Sequence, residues 1–217
     1  NDALGTTAAG TTVSGTGTLD LQGVSYATME GLTLGGGSLA TSTGNSSFAG
    51  GITLTAAGPM SVAGTQLTLS GAITDGASSF ALNKSGNGTL ILSGANTYDG
   101  GTGVTAGVVN LRNATAAGSG TVAVTSGAAV QVQGGITVAN ALTLNGTGVS
   151  SDGALRSISG ANTWSGAITQ GSTSRINTDA GTLALTGGIA NGGFLLTVGG
   201  LGNTAITTTA LSGAGGL

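Results

Sequence analysis

Seven carboxylates, Asp2, Asp20, Glu30, Asp75, Asp99, Asp152 and Asp179, and four cations, Lys84, Arg112, Arg156 and Arg175, make up the whole charged inventory of this 217-residue sequence. It has no His and no Cys. Zinc held by Cys or His, and a Ser or Cys nucleophile activated by His, are therefore excluded. Paired-carboxylate catalysis needs two acids roughly 5 to 9 Å apart, and no two acids here lie closer than ten positions in the chain. One pair remains, Asp75 and Asp99, 24 positions apart (99 − 75), close to one coil of the architecture argued below. Both precede a Gly. In such steps the carboxylate accepts backbone N–H bonds and the next residue takes φ > 0, so the turn role is the stronger expectation for both.

Other chemistry-bearing motifs are missing. There is no Gly-x-Ser-x-Gly elbow, no phosphate-binding Gly-x-x-x-x-Gly-Lys loop and no run of Gly-Gly-x-Gly-x-Asp calcium repeats. No catalytic residue, cofactor or metal ligand is assigned, and the chain is not expected to be an enzyme. Tyr98 and Trp164 are the two surface-binding candidates, since an exposed aromatic ring stacks on a sugar; packing against glycine corners is the competing role. Asn96 and Asn162, two residues before them, are expected to bond backbone at a corner. Asn45, Asn83, Asn87, Asn113 and Asn145 each begin an Asn-x-Ser/Thr triplet. In a chain this rich in Ser and Thr such triplets arise by chance.

Whatever positions these residues is not an ordinary core. The chain holds 45 Gly, only 5% charged and 3% aromatic residues, yet 39% hydrophobic ones. Gly costs about 1 kcal/mol against Ala inside a helix, so almost no α-helix is expected. Disorder would bring more charge and fewer β-branched residues. Net charge of −3 with scattered cations lacks the footprint of a nucleic-acid binder. No run of 18 apolar residues reads as a membrane span. The chain begins at Asn1 without Met, and it is expected to be a segment of a longer protein.

Alternating triplets recur throughout: Leu19-Asp20-Leu21, Leu32-Thr33-Leu34, Ile52-Thr53-Leu54, Leu67-Thr68-Leu69, Leu90-Ile91-Leu92, Val122-Ala123-Val124, Val130-Gln131-Val132, Leu142-Thr143-Leu144 and Leu183-Ala184-Leu185. Period two marks half-buried strands, and the Gly, Asn-Gly and Asp-Gly steps between them mark turns. Leu67 to Ala72 recurs as Leu90 to Ala95, 23 positions on (90 − 67). Ser93-Gly94-Ala95-Asn96-Thr97 recurs at Ser159 to Thr163, 66 positions on (159 − 93), or three coils of 22. A repeat of 20 to 25 residues signals a solenoid. The reading is a single all-β unit over 1–217, a parallel β-helix of about ten short rungs. It is right-handed by the general crossover preference.

The stretch 67–111 resembles the autotransporter-associated β-strand repeat of bacterial passenger regions. It carries Lys84-x-Gly86-x-Gly88-Thr89-Leu90, then Leu92-Ser93-Gly94-Ala95-Asn96-Thr97-Tyr98, then Gly100-Gly101-Thr102. A degenerate copy lies near 157–185, with Trp164 in place of the Tyr. The resemblance implies a parallel β-helix exported largely unfolded, folding outside the cell, and a place at the bacterial surface or in the medium. The function expected is a structural scaffold or stalk that stacks with further copies or adjoining segments into fibres or matrix. The alternative is an adhesin module that binds carbohydrate or a host surface through its Thr/Asn-rich faces, with Trp164 and Tyr98 as the candidate stacking rings.

Overall fold

The computed structural model describes Leu4, residues 9–207 and residues 211–217. Short strands run one after another around a three-sided coil, and each strand pairs in parallel with the strand one coil before it. The first face is built from Thr11–Ser14, Leu32–Gly35, Ile52–Leu54 and Ile73–Thr74, and later from Thr137–Val138, Ala161–Trp164, Thr182–Leu185 and Asn203–Ile206. Between these two sheets single bonds continue the stack, Thr97 N–H to Ile73 O at 2.9 Å and Ser119 N–H to Tyr98 O at 3.0 Å. The second face climbs through Thr18–Asp20, Ser38–Thr41, Gly58–Val62, Leu82–Ser85, Thr102–Val104, Val122–Val124 and Leu142–Gly146. It then passes through the start of Ile168–Thr178 to Ile189–Ala190 and Leu211–Ser212. The third face includes Gln66–Leu69, Thr89–Leu92, Val108–Leu111, Ala129–Gln133, Leu155–Ser159, the end of Ile168–Thr178, and Leu196–Gly199.

The whole is a β-solenoid of about nine coils, which at about 4.8 Å per coil is a rod about 43 Å long. The only helical segment among the described residues is one 3-10 turn, Val149–Ser151. The repeat read from the sequence holds. Leu67 and Leu90 are register partners one coil apart. Thr102, Val122, Leu142 and Ile168, each paired to the next, make the 66-residue offset three coils. Coils differ where corners take in extra chain: Val122 to Leu142 spans 20 residues, while Leu142 to Ile168 spans 26 and accommodates the 3-10 turn.

Period two drives this arrangement because alternate side chains leave a strand on opposite sides. Inward positions stack like on like: Leu32 on Ile52 on Ile73, Leu67 on Leu90 on Val109 on Val130 on Leu155 on Ile176, and Leu69 on Leu92 on Leu111 on Val132. All are at most 2% exposed. Each buried side chain contributes about 1.5 to 3 kcal/mol, but only when the coils above and below are present to cover it. Outward positions form their own ladders, such as Thr12, Thr33, Thr53 and Thr74 on the first face. Not every outward residue meets solvent. Ile91 and Asn110, adjacent in one outward ladder, are 4% exposed. Near one end Tyr26 stacks on Phe48 with ring centroids 5.6 Å apart and planes 11° from parallel.

Candidate functional sites in the core, at the corners and on the third face

Tyr98 and Trp164 end equivalent first-face segments three coils apart and turn inward; both are 0% exposed. The Tyr98 hydroxyl shares a 2.6 Å hydrogen bond with Thr102 Oγ1, which also donates to Ala117 O at 3.0 Å. Gly118 lies against the Tyr98 ring, where an added Cβ would come within 2.9 Å of it. Burial raises the Tyr98 pKa well above its ordinary value, the bond to Thr102 opposing it. Trp164 Nε1 donates to Asn140 O at 2.9 Å. The structure therefore corrects the sugar-stacking reading: neither ring presents a face, because each fills the core beneath a corner that has little other bulk. Trp164 is the only Trp in the chain. Its emission is expected at the blue end of the Trp range and should resist acrylamide quenching; Trp164→Ala should cost about 3 to 5 kcal/mol in urea unfolding.

Asn96 and Asn162 take the corner role. Asn96 Oδ1 accepts the Ile73 N–H at 2.8 Å and its Nδ2 donates to Ala116 O at 2.6 Å, so one side chain joins the coil below to the coil above. Asn162 Oδ1 accepts from Gly135 and Ile136 N–H, and its Nδ2 donates to Ser159 O and Ser157 Oγ. Asn140 does the same work between them, donating to Gly118 O and Gly120 O. An amide suits these sites because it donates and accepts without bringing charge into the core.

Asp75 takes the turn role, with its carboxylate bound to backbone on its own coil and on the next. Asp75 Oδ2 accepts the Phe80 N–H at 2.9 Å and the Asp99 backbone N–H at 3.2 Å. The Asp99 residue itself is exposed. Gly76 has the expected positive φ of 66°; after Asp99 the positive φ falls one residue later, on Gly101 at 89°. Glu30, 1% exposed, accepts from Thr11 Oγ1 at 2.8 Å and from the Tyr26 hydroxyl at 2.7 Å. Among the Asn-x-Ser/Thr triplets, Asn45, Asn83 and Asn87 are exposed, while Asn145 donates to Val124 O at 3.0 Å. A surface depression walled by Gly44, Gly64, Thr65, Asn87, Gly88 and Thr89 holds no titratable group.

Lys84 is the residue whose burial sequence reasoning did not foresee, having placed it as a scattered cation and as the first residue of the repeat motif. It is inward on the second face, between Met60 below and Val104 above, and 0% exposed. Its Nζ donates to Ser85 O at 2.9 Å, Gly86 O at 2.6 Å and Ala106 O at 3.0 Å, which uses all three ammonium hydrogens. Burial pulls its pKa down to about 8. The signal was present in the alternation, since Lys84 stands two places after the inward Leu82.

The other three cations share the outer surface of the third face. Asn110, Gln131, Arg156 and Asn177 are successive register partners on one outward ladder. Arg156 meets Asp179 at 2.8 Å and Asp152 at 3.1 Å. The bond to Asp179 raises its pKa above the ordinary value, against burial. Arg112 Nε donates to Asn110 Oδ1, and the Asn110 amide donates in turn to Gln131 and Gln133. Arg175 Nη2 donates to Asn177 Oδ1.

Comparison with known proteins gives one match. No curated protein and no solved structure matches the chain. The family model that does match, passenger-associated-transport-repeat, covers residues 82–111. This is about one and a half circuits of the rod, since Leu82 pairs with Thr102 one coil on and the match runs past it to the strand Val108–Leu111, and it contains Lys84, Asn96, Tyr98 and Thr102, whose buried polar atoms help lock one coil to the next. Residues 82–111 of this β-solenoid are thus similar to the passenger-associated-transport-repeat.

Proposed function

We propose that the chain is a structural, non-enzymatic stretch of an extracellular bacterial rod, a scaffold or stalk of passenger type that sets distance and continues into neighbouring segments or further copies. The observation that carries this reading is the continuous parallel pairing of the second face through all its strands, with one register shift between Leu144 and Gly146. The embedded repeat supports it. Where every coil buries its apolar side chains against the next, stability accumulates along the axis and no single coil is indispensable. A stalk needs that property, and export as an extended chain is compatible with it, since no Cys requires pairing.

The test is removal of one coil. Leu32 and Ile52 are register partners, so deleting residues 32–51 joins Gly31 to Ile52 and leaves Leu19 to pair with Met60. A spacer should keep its β circular dichroism, shorten by about 4.8 Å in X-ray scattering and lose only part of its stability. Collapse of the whole rod on losing a single internal coil would defeat the reading.

A further inference from the structure

We infer that the third face, over the coils between Arg112 and Arg175, is a docking surface for a linear polysaccharide bearing carboxylate groups. Such a role goes beyond the scaffold reading, and the distribution of charge points to it. Of the four cations, Lys84 is sealed in the core; the other three lie on one face in neighbouring coils. Glu30 and Asp75 are buried, and Asp20 is tied to Ser42 and Gln22 on another part of the surface. Among the described residues, positive charge with access to solvent is therefore confined to this face.

Within it the three guanidinium groups are not equivalent. Arg156 is neutralised by Asp179 and Asp152. Arg112 and Arg175 meet no carboxylate. Each spends one N–H on an Asn two residues away in the chain, at 3.0 and 3.1 Å; the Arg175 Nε is buried without a partner, which leaves the Nη end of that fork to meet a ligand. Gly199 leaves room for Arg175 to lie flat, since a Cβ there would stand 2.9 Å from Nη2. The two free forks are separated by the three coil steps from Asn110 to Asn177, about 14 Å along the rod. Between them lie the amides of Gln131 and Gln133 and then Arg156, whose charge offsets one of the two carboxylates beside it, Asp179 and Asp152. A planar guanidinium takes a carboxylate through two parallel hydrogen bonds, and an amide donates to and accepts from hydroxyls. An extended chain with acidic groups at intervals and hydroxyls between them fits that order; a compact anion reaches only one fork.

Titration calorimetry of the 217-residue chain with polygalacturonate at low salt, against neutral dextran, tests this. Polygalacturonate should bind and dextran should not, and affinity should fall as salt rises. Arg112→Gln combined with Arg175→Gln should weaken binding by about tenfold or more, the loss of two charge-assisted contacts. Arg112→Gln alone, at an exposed side chain, should weaken it with the melting curve unchanged. No binding, equal binding of dextran, or full affinity in the double variant overturns the inference. X-ray scattering of the same samples reads the rod independently, so the scaffold reading stands or falls apart from this result.

Discussion

Gly71→Ala is expected to destabilise the rod by about 2 to 3 kcal/mol and to lower its melting midpoint by roughly 5 to 10 °C. The reason is close approach rather than backbone conformation, for Gly71 is not in the left-handed region. It stands at the corner between the third and first faces, where a Cβ would overlap the carbonyl of Gly50 one coil below and come within 2.8 Å of Ala49 O. Gly50 is packed in the same way against Glu30, and Gly94 against Gly71. Each corner thus rests directly on the one before it, and one methyl group has nowhere to go unless the coils separate and lose ladder bonds on both sides. Gly31→Ala is the control. Nothing lies within 4 Å of a Cβ there and its φ is not positive, so its effect should stay within about 0.5 kcal/mol. Differential scanning calorimetry of the two variants decides the matter; equal melting would mean that the corner column is not tight.

Lys84 should give the rod a stability that rises with pH in the alkaline range. Burial lowers its folded pKa from 10.5 to about 8, so between those values the unfolded chain binds more protons than the folded one. By linkage, unfolding free energy then increases with pH. Below pH 8 both states are protonated and the contribution is flat; above 10.5 both are neutral and it is flat again. The gain across the window should be roughly 2 kcal/mol after allowance for solvent near the Nζ end of the side chain. Tyr98 acts in the opposite sense. Its raised pKa means that the unfolded chain ionises first, so stability declines once pH passes the ordinary Tyr value near 10. A maximum near pH 10 is expected in urea titrations. Lys84→Met keeps the aliphatic stem between Met60 and Val104 and should remove the rise. It leaves the Ser85, Gly86 and Ala106 carbonyls without their donor, a cost of about 1 to 3 kcal/mol at neutral pH. A rise that survives in Lys84→Met would show that the slope comes from elsewhere.

Most of the scaffold was legible in the chain because its information is local and repeated. Leu67-Thr68-Leu69 and Leu90-Ile91-Leu92 state which side chains face inward, and the 23-residue step between them states which coil they join. The corner role of Asn96 and Asn162 followed from their equal place in two copies of one motif. What local pattern does not contain is which residues a corner encloses. Tyr98 and Trp164 sit amid Gly, Ser and Thr with no apolar neighbours in sequence, and they resembled surface residues. Their cover comes from Gly118 and Asn140 in other coils.

The sequence by itself determined a Gly-rich, Cys-free, all-β coil with a period near 22, because alternation and turn residues act over a few positions and the stack merely repeats them. Only the tertiary structure decided that a lysine would be held inside by three carbonyls, and that the Asp75 carboxylate would reach the backbone of Asp99 one coil on. It also decided that three arginines 19 to 63 positions apart (175 − 156 and 175 − 112) would share one face. Each of those outcomes depends on register between coils and on how many residues every corner absorbs, quantities set by packing across the rod rather than by neighbours along the chain.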